Sequence, residues 1–189
     1  MIKIVFATSN PHKLQEVNDI AQNSDIEFVL PPKGFDPIED GATFEENSYI
    51  KAKEAAKLSG IVALADDSGL CVEALDGAPG IYSARYADTP QARIDKLLNA
   101  MNGKENRKAK FVCAMTLVKP DGEIVFQTRG ECHGNIANKQ SGTNGFGYDP
   151  IFLLENSSTT IAELSEEEKN KISHRGKALR NVLEFLKNY

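Results

Sequence analysis

Cysteine, histidine, excess basic charge and long apolar runs are all scarce in this sequence, and each scarcity removes a class of function. Three cysteines occur among 189 residues, Cys71, Cys113 and Cys132, far apart and with no CxxC pair. Their number and spacing argue against a disulfide framework or a zinc site and for small-hydrophobe roles in a reduced compartment. His12 and His133 lack ligand-like spacing, which disfavours a metal site built on histidine. The formal net charge is -5. A general nucleic-acid coat, which needs a basic excess, is therefore not expected; a small polyanion remains open where a few cations gather or a metal bridges. No run approaches the ~18 apolar residues of a membrane span. MIKIVFATSN is too short in its apolar stretch for a signal peptide and reads as a first strand, so a cytoplasmic location is expected. The P-loop pattern GxxxxGK[ST] and the GxSxG elbow are also missing, which disfavours a Walker-type nucleotide site and a serine hydrolase.

What is present suits an ordinary globular protein: 41% hydrophobic and 26% charged residues, with enough length to bury a core unaided. No repeat, linker or low-complexity tract interrupts it, so residues 1–189 read as a single domain with two lobes around a cleft. Strands are expected at 2–8, 26–30, 61–65, 109–118, 123–133 and 151–154, with extended chain at 70–75. Asn10 and Pro11 signal the start of a helix with Leu14, Val17, Ile20 and Ala21 on one face. Thr43 and Glu46 form a capping box for a helix running to Ser59 and ending at Gly60. Thr89-Pro90 opens another helix, to about Met101. Pro120-Asp121-Gly122 marks a hairpin turn. Ser165 and Glu168 make a second capping box, and Ser173 precedes a last helix with Leu179, Val182, Leu183 and Leu186 on its apolar stripe. Helices between the early strands followed by a long hairpin give a mixed α/β fold.

Four segments carry groups suited to chemistry. Thr8-Ser9-Asn10-Pro11-His12-Lys13 combines hydroxyls, a helix N-terminus and a lysine, which suits phosphate; helix capping alone accounts for Thr8 and Asn10 equally well. Asp66-Asp67-Ser68-Gly69 places two acids at the expected end of a strand, where one carboxylate can hold a hard cation and orient water; a solvated turn is the plainer alternative. Gly145-Phe146-Gly147-Tyr148-Asp149 offers close backbone approach, an aromatic for stacking and an acceptor for base N–H groups, or simply a glycine turn. Lys169, His174 and Arg175 gather basic groups near the start of the last helix, for an anion or a base oxo group, or as a solvated basic turn.

Taken in order, ATSNPHK, TFEENSYIKA, ADDSGL followed by GAPGIYSARY, GFGYDPIF and ISHRGKAL resemble the inosine- and xanthosine-triphosphate pyrophosphatases, the Ham1-like family. The resemblance spans positions 7 to 179. It implies a Maf/Ham1-like fold, with a long mixed sheet and two lobes enclosing a nucleotide, a homodimer, and a Mg²⁺ requirement. It implies hydrolysis of ITP, dITP and XTP to monophosphate and pyrophosphate by attack of water on the α-phosphorus. Asp66 would be the catalytic acid and a metal ligand, and Thr8 to Lys13 the triphosphate loop. Phe146, Gly147, Tyr148 and Asp149, with Lys169, His174 and Arg175, would recognise the base, and Asp67 and Ser68 would lie beside the substrate. A second metal-binding acid falls at Glu39, with Asp40 competing. Two alternatives remain: a Maf-like enzyme for pyrimidine or methylated nucleotides, and a non-catalytic nucleotide- or RNA-binding protein.

Overall fold

The computed structural model describes residues 2–189. Its elements run β1 (Ile2–Phe6), α1 (Pro11–Ala21), β2 (Ile26–Val29), α2 (Phe44–Ser59), β3 (Ala63–Val72), α3 (Pro90–Ala100), β4 (Lys108–Val118), β5 (Ile124–Ile136), β6 (Phe152–Leu154), α4 (Glu166–Ile172) and α5 (His174–Lys187). The fold is mixed α/β, with six strands in the order β2-β1-β3-β4-β5-β6. β1 pairs parallel with β2 and with β3, whereas β5 and β6 are antiparallel. The β4–β5 hairpin closes where expected: Lys119 N–H donates to Glu123 O, and Gly122 takes φ 90°.

The chain divides into two compact units. Unit 1 holds the stretch ending at Asp67, Cys113–Gly130 and Arg175–Tyr189; unit 2 holds Ser68–Val112 and Glu131–His174. In unit 1 the two faces of the sheet are covered by different helices, and strand alternation sorts the residues. Ile4, Phe6, Leu64, Cys113, Met115 and Leu117 pack with Val17 and Ala21 of α1 and Ala178, Leu179 and Val182 of α5. The intervening residues, Val5, Ala7, Ala63, Ala65 and Val118, pack against Ala52, Ala55 and Ala56 of α2. Unit 2 has its own core, in which Ile94 and Leu97 of α3 and Met101 just past its end meet Leu70, Val72, Phe111, Ile136 and Phe152. Cys113 and Cys132 are buried among these apolar residues, as small hydrophobes are.

Three local expectations need correction. The strand expected to stop at Ala65 instead runs unbroken from Ala63 to Val72, so Asp66 and Asp67 lie in its interior and not at its end. Asp-Asp-Ser-Gly has turn composition, but cations on both faces of the strand let the two acids stay in it, as described below. The expected extension to Leu75 gives way to a 3₁₀ turn at Glu73–Leu75, and a second 3₁₀ turn at Gly80–Arg85 had no sequence signal. The Thr43 capping box is half formed: Thr43 accepts from Glu46 N–H, but the Glu46 carboxylate reaches Ala42 N–H. The Ser165–Glu168 box is complete, and a further one joins Thr160 to Glu163.

Candidate active site

At the head of α1 the chain is tied by its own side chains. Thr8 Oγ1 accepts from Asn10 N–H at 3.0 Å, and Asn10 Oδ1 accepts from His12 N–H at 2.9 Å. Pro11 fills the first turn, no acid occupies it, and Ser9 and His12 face solvent. The positive end of the helix is thus left without an internal counter-charge. Lys13, one turn in, directs its ammonium to Asp66, at 3.1 and 3.3 Å from the two carboxylate oxygens.

Because side chains alternate along β3, the adjacent acids face opposite ways and have opposite fates. Asp66 shares the α1/α5 face with Leu64. It is 1% exposed and lies against Lys13 and against the Nε and Nη2 of Arg175, at 3.2 and 3.1 Å. Burial alone would raise its carboxyl, but Lys13, Arg175 and Lys51 outweigh burial and hold the pKa well below the usual carboxylate range. Arg175 was expected at the base. Its guanidinium instead lies buried in unit 1, bound to Asp66 and, through Nη1 at 2.7 Å, to Glu16.

Asp67 faces α2. Its Oδ1 accepts from Lys51 at 3.3 Å, while its buried Oδ2 has no partner among the described residues. Burial pushes its pKa up to about 6; Lys51 opposes the rise, and Glu39 and Asp66 add to it. Lys51 also meets Glu39 at 3.1 Å. Burial would lower the Lys51 ammonium, but Asp66, Asp67 and Glu39 together raise it, so it stays charged. Glu39 is set by the first turn of α2: the buried Asn47 accepts from Gly41 N–H at 2.9 Å. A Cβ at Gly41 would sit 2.7 Å from that same Asn47 oxygen, so only glycine fits there. Asp40 is exposed. Lys51 was missed in the sequence, yet a signal existed. It falls in the buried stripe of α2 with Asn47, Ser48, Ala52, Ala55 and Ala56, where a lysine is out of place.

The donor set on this face suits a hard cation. Glu39 and Asp67 offer carboxylate oxygens to such a cation, and one of them, Asp67 Oδ2, is buried without a partner among the described residues. No group of three or more His, Cys, Asp or Glu gathers for a metal among the described residues. Two carboxylates completed by phosphate oxygens and water is the coordination Mg²⁺ commonly takes.

Unit 2 brings the remaining expected residues together. Asp149, 3% exposed, takes Lys169 Nζ at 2.9 Å and Phe146 N–H at 3.0 Å. Gly145 has φ 70°, and a side chain there would collide with the Asp149 carboxylate. Phe146 is 44% exposed, with Lys169 Nζ 4.3 Å from its ring centroid. Gly147 likewise has positive φ, at 60°. Tyr148 is buried and donates to Ser83 O at 2.7 Å, and burial pushes its phenol up to about 12. Ser83 in turn accepts from Leu70 N–H, so the unforeseen 3₁₀ turn ties β3 to the Phe146–Asp149 loop. His174 stacks on Phe111 with ring centroids 4.9 Å apart. Ser68 is half-buried on β3.

Comparison with known proteins identifies the family. The Ham1 family matches residues 4–185. A dITP/XTP pyrophosphatase of Synechocystis sp. is 45% identical over 183 residues, covering 97% of this chain and 94% of that protein. Another, from Exiguobacterium sp., is 46% identical over 187 residues, covering 96% and 95%. Among solved structures, a HAM1 protein from Coxiella burnetii superposes with a TM-score of 0.92 at 42% identity over the whole of both chains. The Staphylococcus aureus Ham1 protein gives 0.89 at 41% identity, covering 99% of each chain. With its fold and nearly its whole length shared with these proteins, the chain belongs to the Ham1 family.

Proposed function

We propose that this chain is a nucleoside-triphosphate pyrophosphatase that hydrolyses ITP, dITP and XTP, noncanonical purine nucleotides, to the monophosphate and pyrophosphate. Relatives of nearly equal length bear the name dITP/XTP pyrophosphatase. The observation that carries the chemistry is the asymmetry of the acid pair. Asp66 is ionised and locked between two cations, whereas Asp67 keeps an unpartnered oxygen and a pKa of about 6. The role expected of Asp66 therefore passes to Asp67, with Glu39 beside it and Lys51 joining the two.

In this reading Asp67 Oδ2 takes a proton from the water that attacks the α-phosphorus. That oxygen is buried and accepts from no group among the described residues, so it is the one open to that water. Glu39 and Asp67 would hold Mg²⁺, which supplies charge neutralisation on the phosphate oxygens when bound. Lys51 holds the two carboxylates at fixed separation. Lys13 and the α1 N-terminus, with Thr8, Ser9, Asn10, Pro11 and His12 around them, bind the triphosphate through charge and backbone N–H groups. Asp66, with Arg175, positions Lys13.

Base selection is assigned to unit 2. The exposed Phe146 ring offers a stacking face, and Lys169 and His174 offer donors to a 6-oxo group, with Asp149 as the acceptor that holds Lys169. ATP carries an amino group at that position, which leaves such donors unpaired and is discriminated against strongly. GTP shares the 6-oxo group and must be rejected at its 2-amino group. Among the described residues no helix is long and apolar enough to cross a membrane. A homodimer, as the family resemblance implies, and a cytoplasmic location belong to the same proposal. Pyrophosphate release across ITP, XTP, dUTP, ATP and GTP tests the reading. ITP and XTP are expected to lead by at least ~100-fold in kcat/KM over ATP; dUTP preferred over ITP would favour a Maf-like enzyme, and no turnover would favour a binding protein.

A further inference from the structure

The loop that carries Phe146 and Asp149 is stitched, just before them, to the segment that leads into α4, and both stretches lie in unit 2. Thr160 Oγ1 donates to Ser141 O at 2.6 Å. Gly142, at φ 84°, lies so close to this segment that a side chain there would collide with the Ala162 carbonyl. Asn144 N–H donates to Ala162 O at 2.9 Å, and Asn144 Nδ2 donates to Leu164 O, also at 2.9 Å. The partner of the carboxamide is a carbonyl oxygen, so the amide must present its nitrogen, and Asn144 acts here as a donor.

The place of Leu164 in the chain gives that bond its consequence. Leu164 immediately precedes Ser165, the N-cap of α4, and Lys169 N–H donates to Ser165 O. The Lys169 ammonium returns to Asp149 Oδ2, and the same oxygen accepts from Phe146 N–H. A closed circuit results: Asn144 to Leu164, along α4 to Lys169, across to Asp149 and back through Phe146. Gly145 is the one residue between Asn144 and Phe146, and glycine has the widest backbone freedom of any residue. The position of the Phe146 ring therefore depends on ties on both sides of it. One is the buried Lys169–Asp149 pair, and the other is Asn144.

We propose that Asn144 is a positioning residue for base recognition: its bond to Leu164 O fixes the spacing between the Phe146 ring and the Lys169 ammonium, and through them the preference for a 6-oxo purine. This rests on the reading of Phe146 and Lys169 as base-binding groups. The experiment measures kcat and KM for ITP and ATP, and binding of inorganic tripolyphosphate by calorimetry, in Asn144→Asp and Asn144→Ala. Ionised aspartate has nearly the shape of asparagine but cannot donate, and alanine removes the donor without adding charge. Both variants keep the backbone bond to Ala162, and residue 144 is exposed, so both should fold. Each is expected to raise KM for ITP about fivefold, within the range of one neutral hydrogen bond. The ratio of kcat/KM for ITP over ATP should narrow by a similar factor. The kcat for ITP and the tripolyphosphate affinity should stay at the parent values, and hydrogen exchange at Phe146 N–H should quicken.

An unchanged KM and ITP-to-ATP ratio in both variants would overturn the proposal. So would equal losses for ITP and ATP, or weaker tripolyphosphate binding, since either marks a general loosening of the protein and not a change in base reading. A loss in Asn144→Asp with Asn144→Ala at parent values would trace the effect to the added charge and overturn it as well. Parent protein that turns over ITP no better than ATP would refute the base-selection reading and this role with it, a result visible without any variant.

Discussion

Replacing Asp67 by asparagine keeps the shape of the side chain and an acceptor for Lys51 while removing the charge and the proton-accepting oxygen. If Asp67 is the base, kcat for ITP should fall by ~100-fold or more, the usual scale for losing a positioned general base. The same substitution in the metal-free protein has a second, independent signature. The Asp67 carboxyl goes from an ordinary 3.8 to about 6 on folding, so the native state holds this proton more tightly than the unfolded chain. Stability from this group is therefore fully present below about pH 4 and is lost as pH rises through about 6. The loss amounts to about 3 kcal/mol, reduced to the extent that the unfolded chain retains structure. Asparagine mimics the protonated form. Asp67→Asn in EDTA should thus lack this fall and gain on the parent protein between pH 4 and pH 8. At a few °C per kcal/mol for a domain of this size, the relative change in Tm is about 6–12 °C. Asp66→Asn should behave in the opposite way. It strips a buried counter-ion from Lys13 and Arg175, which costs on the order of 3–5 kcal/mol, so activity and Tm fall together. The assays are a coupled pyrophosphate assay and thermal melts across pH. Asp67→Asn activity within tenfold of the parent, in a folded protein, would refute the assignment.

Two further substitutions test the flanking groups. Glu39→Gln should raise the Mg²⁺ concentration for half-maximal activity more than Asp40→Asn does, since Glu39 turns to Lys51 and Asp40 to solvent; the reverse order in a Mg²⁺ titration transfers the role. Phe146→Ala should raise KM for ITP about tenfold, the lower end of what stacking on a base contributes, and leave tripolyphosphate binding unchanged; an unaltered KM removes the stacking role.

The sequence made the element order legible because its signals were local. Asn10-Pro11, Thr89-Pro90, Pro120-Asp121-Gly122 and Gly60 each act through the geometry of a few neighbouring residues, and the structure has the corresponding caps and turns. The acid pair misled because its context is not local. Asp66-Asp67-Ser68-Gly69 resembles a turn in composition, yet it remains strand because Lys13 and Arg175 wait on one face and Lys51 on the other. Those partners lie 53, 109 and 16 residues away in the chain, beyond the reach of pattern reading. The choice between adjacent acids depended on the same fact: only knowing which helix covers which face separates the locked carboxylate from the available one. Arg175 was placed by its motif near the base, and its burial against Glu16 follows from packing of α5 on α1, which no periodicity encodes. Lys51, by contrast, was readable, as a cation inside an alanine stripe.

The claim that water attacks the α-phosphorus is tested most directly by turnover of ITP in ¹⁸O-labelled water, with the products resolved by mass spectrometry. Attack there places one labelled oxygen in inosine monophosphate and none in the pyrophosphate released. Label found in pyrophosphate, or release of orthophosphate with inosine diphosphate, would mean attack at the β- or γ-phosphorus and would contradict the account.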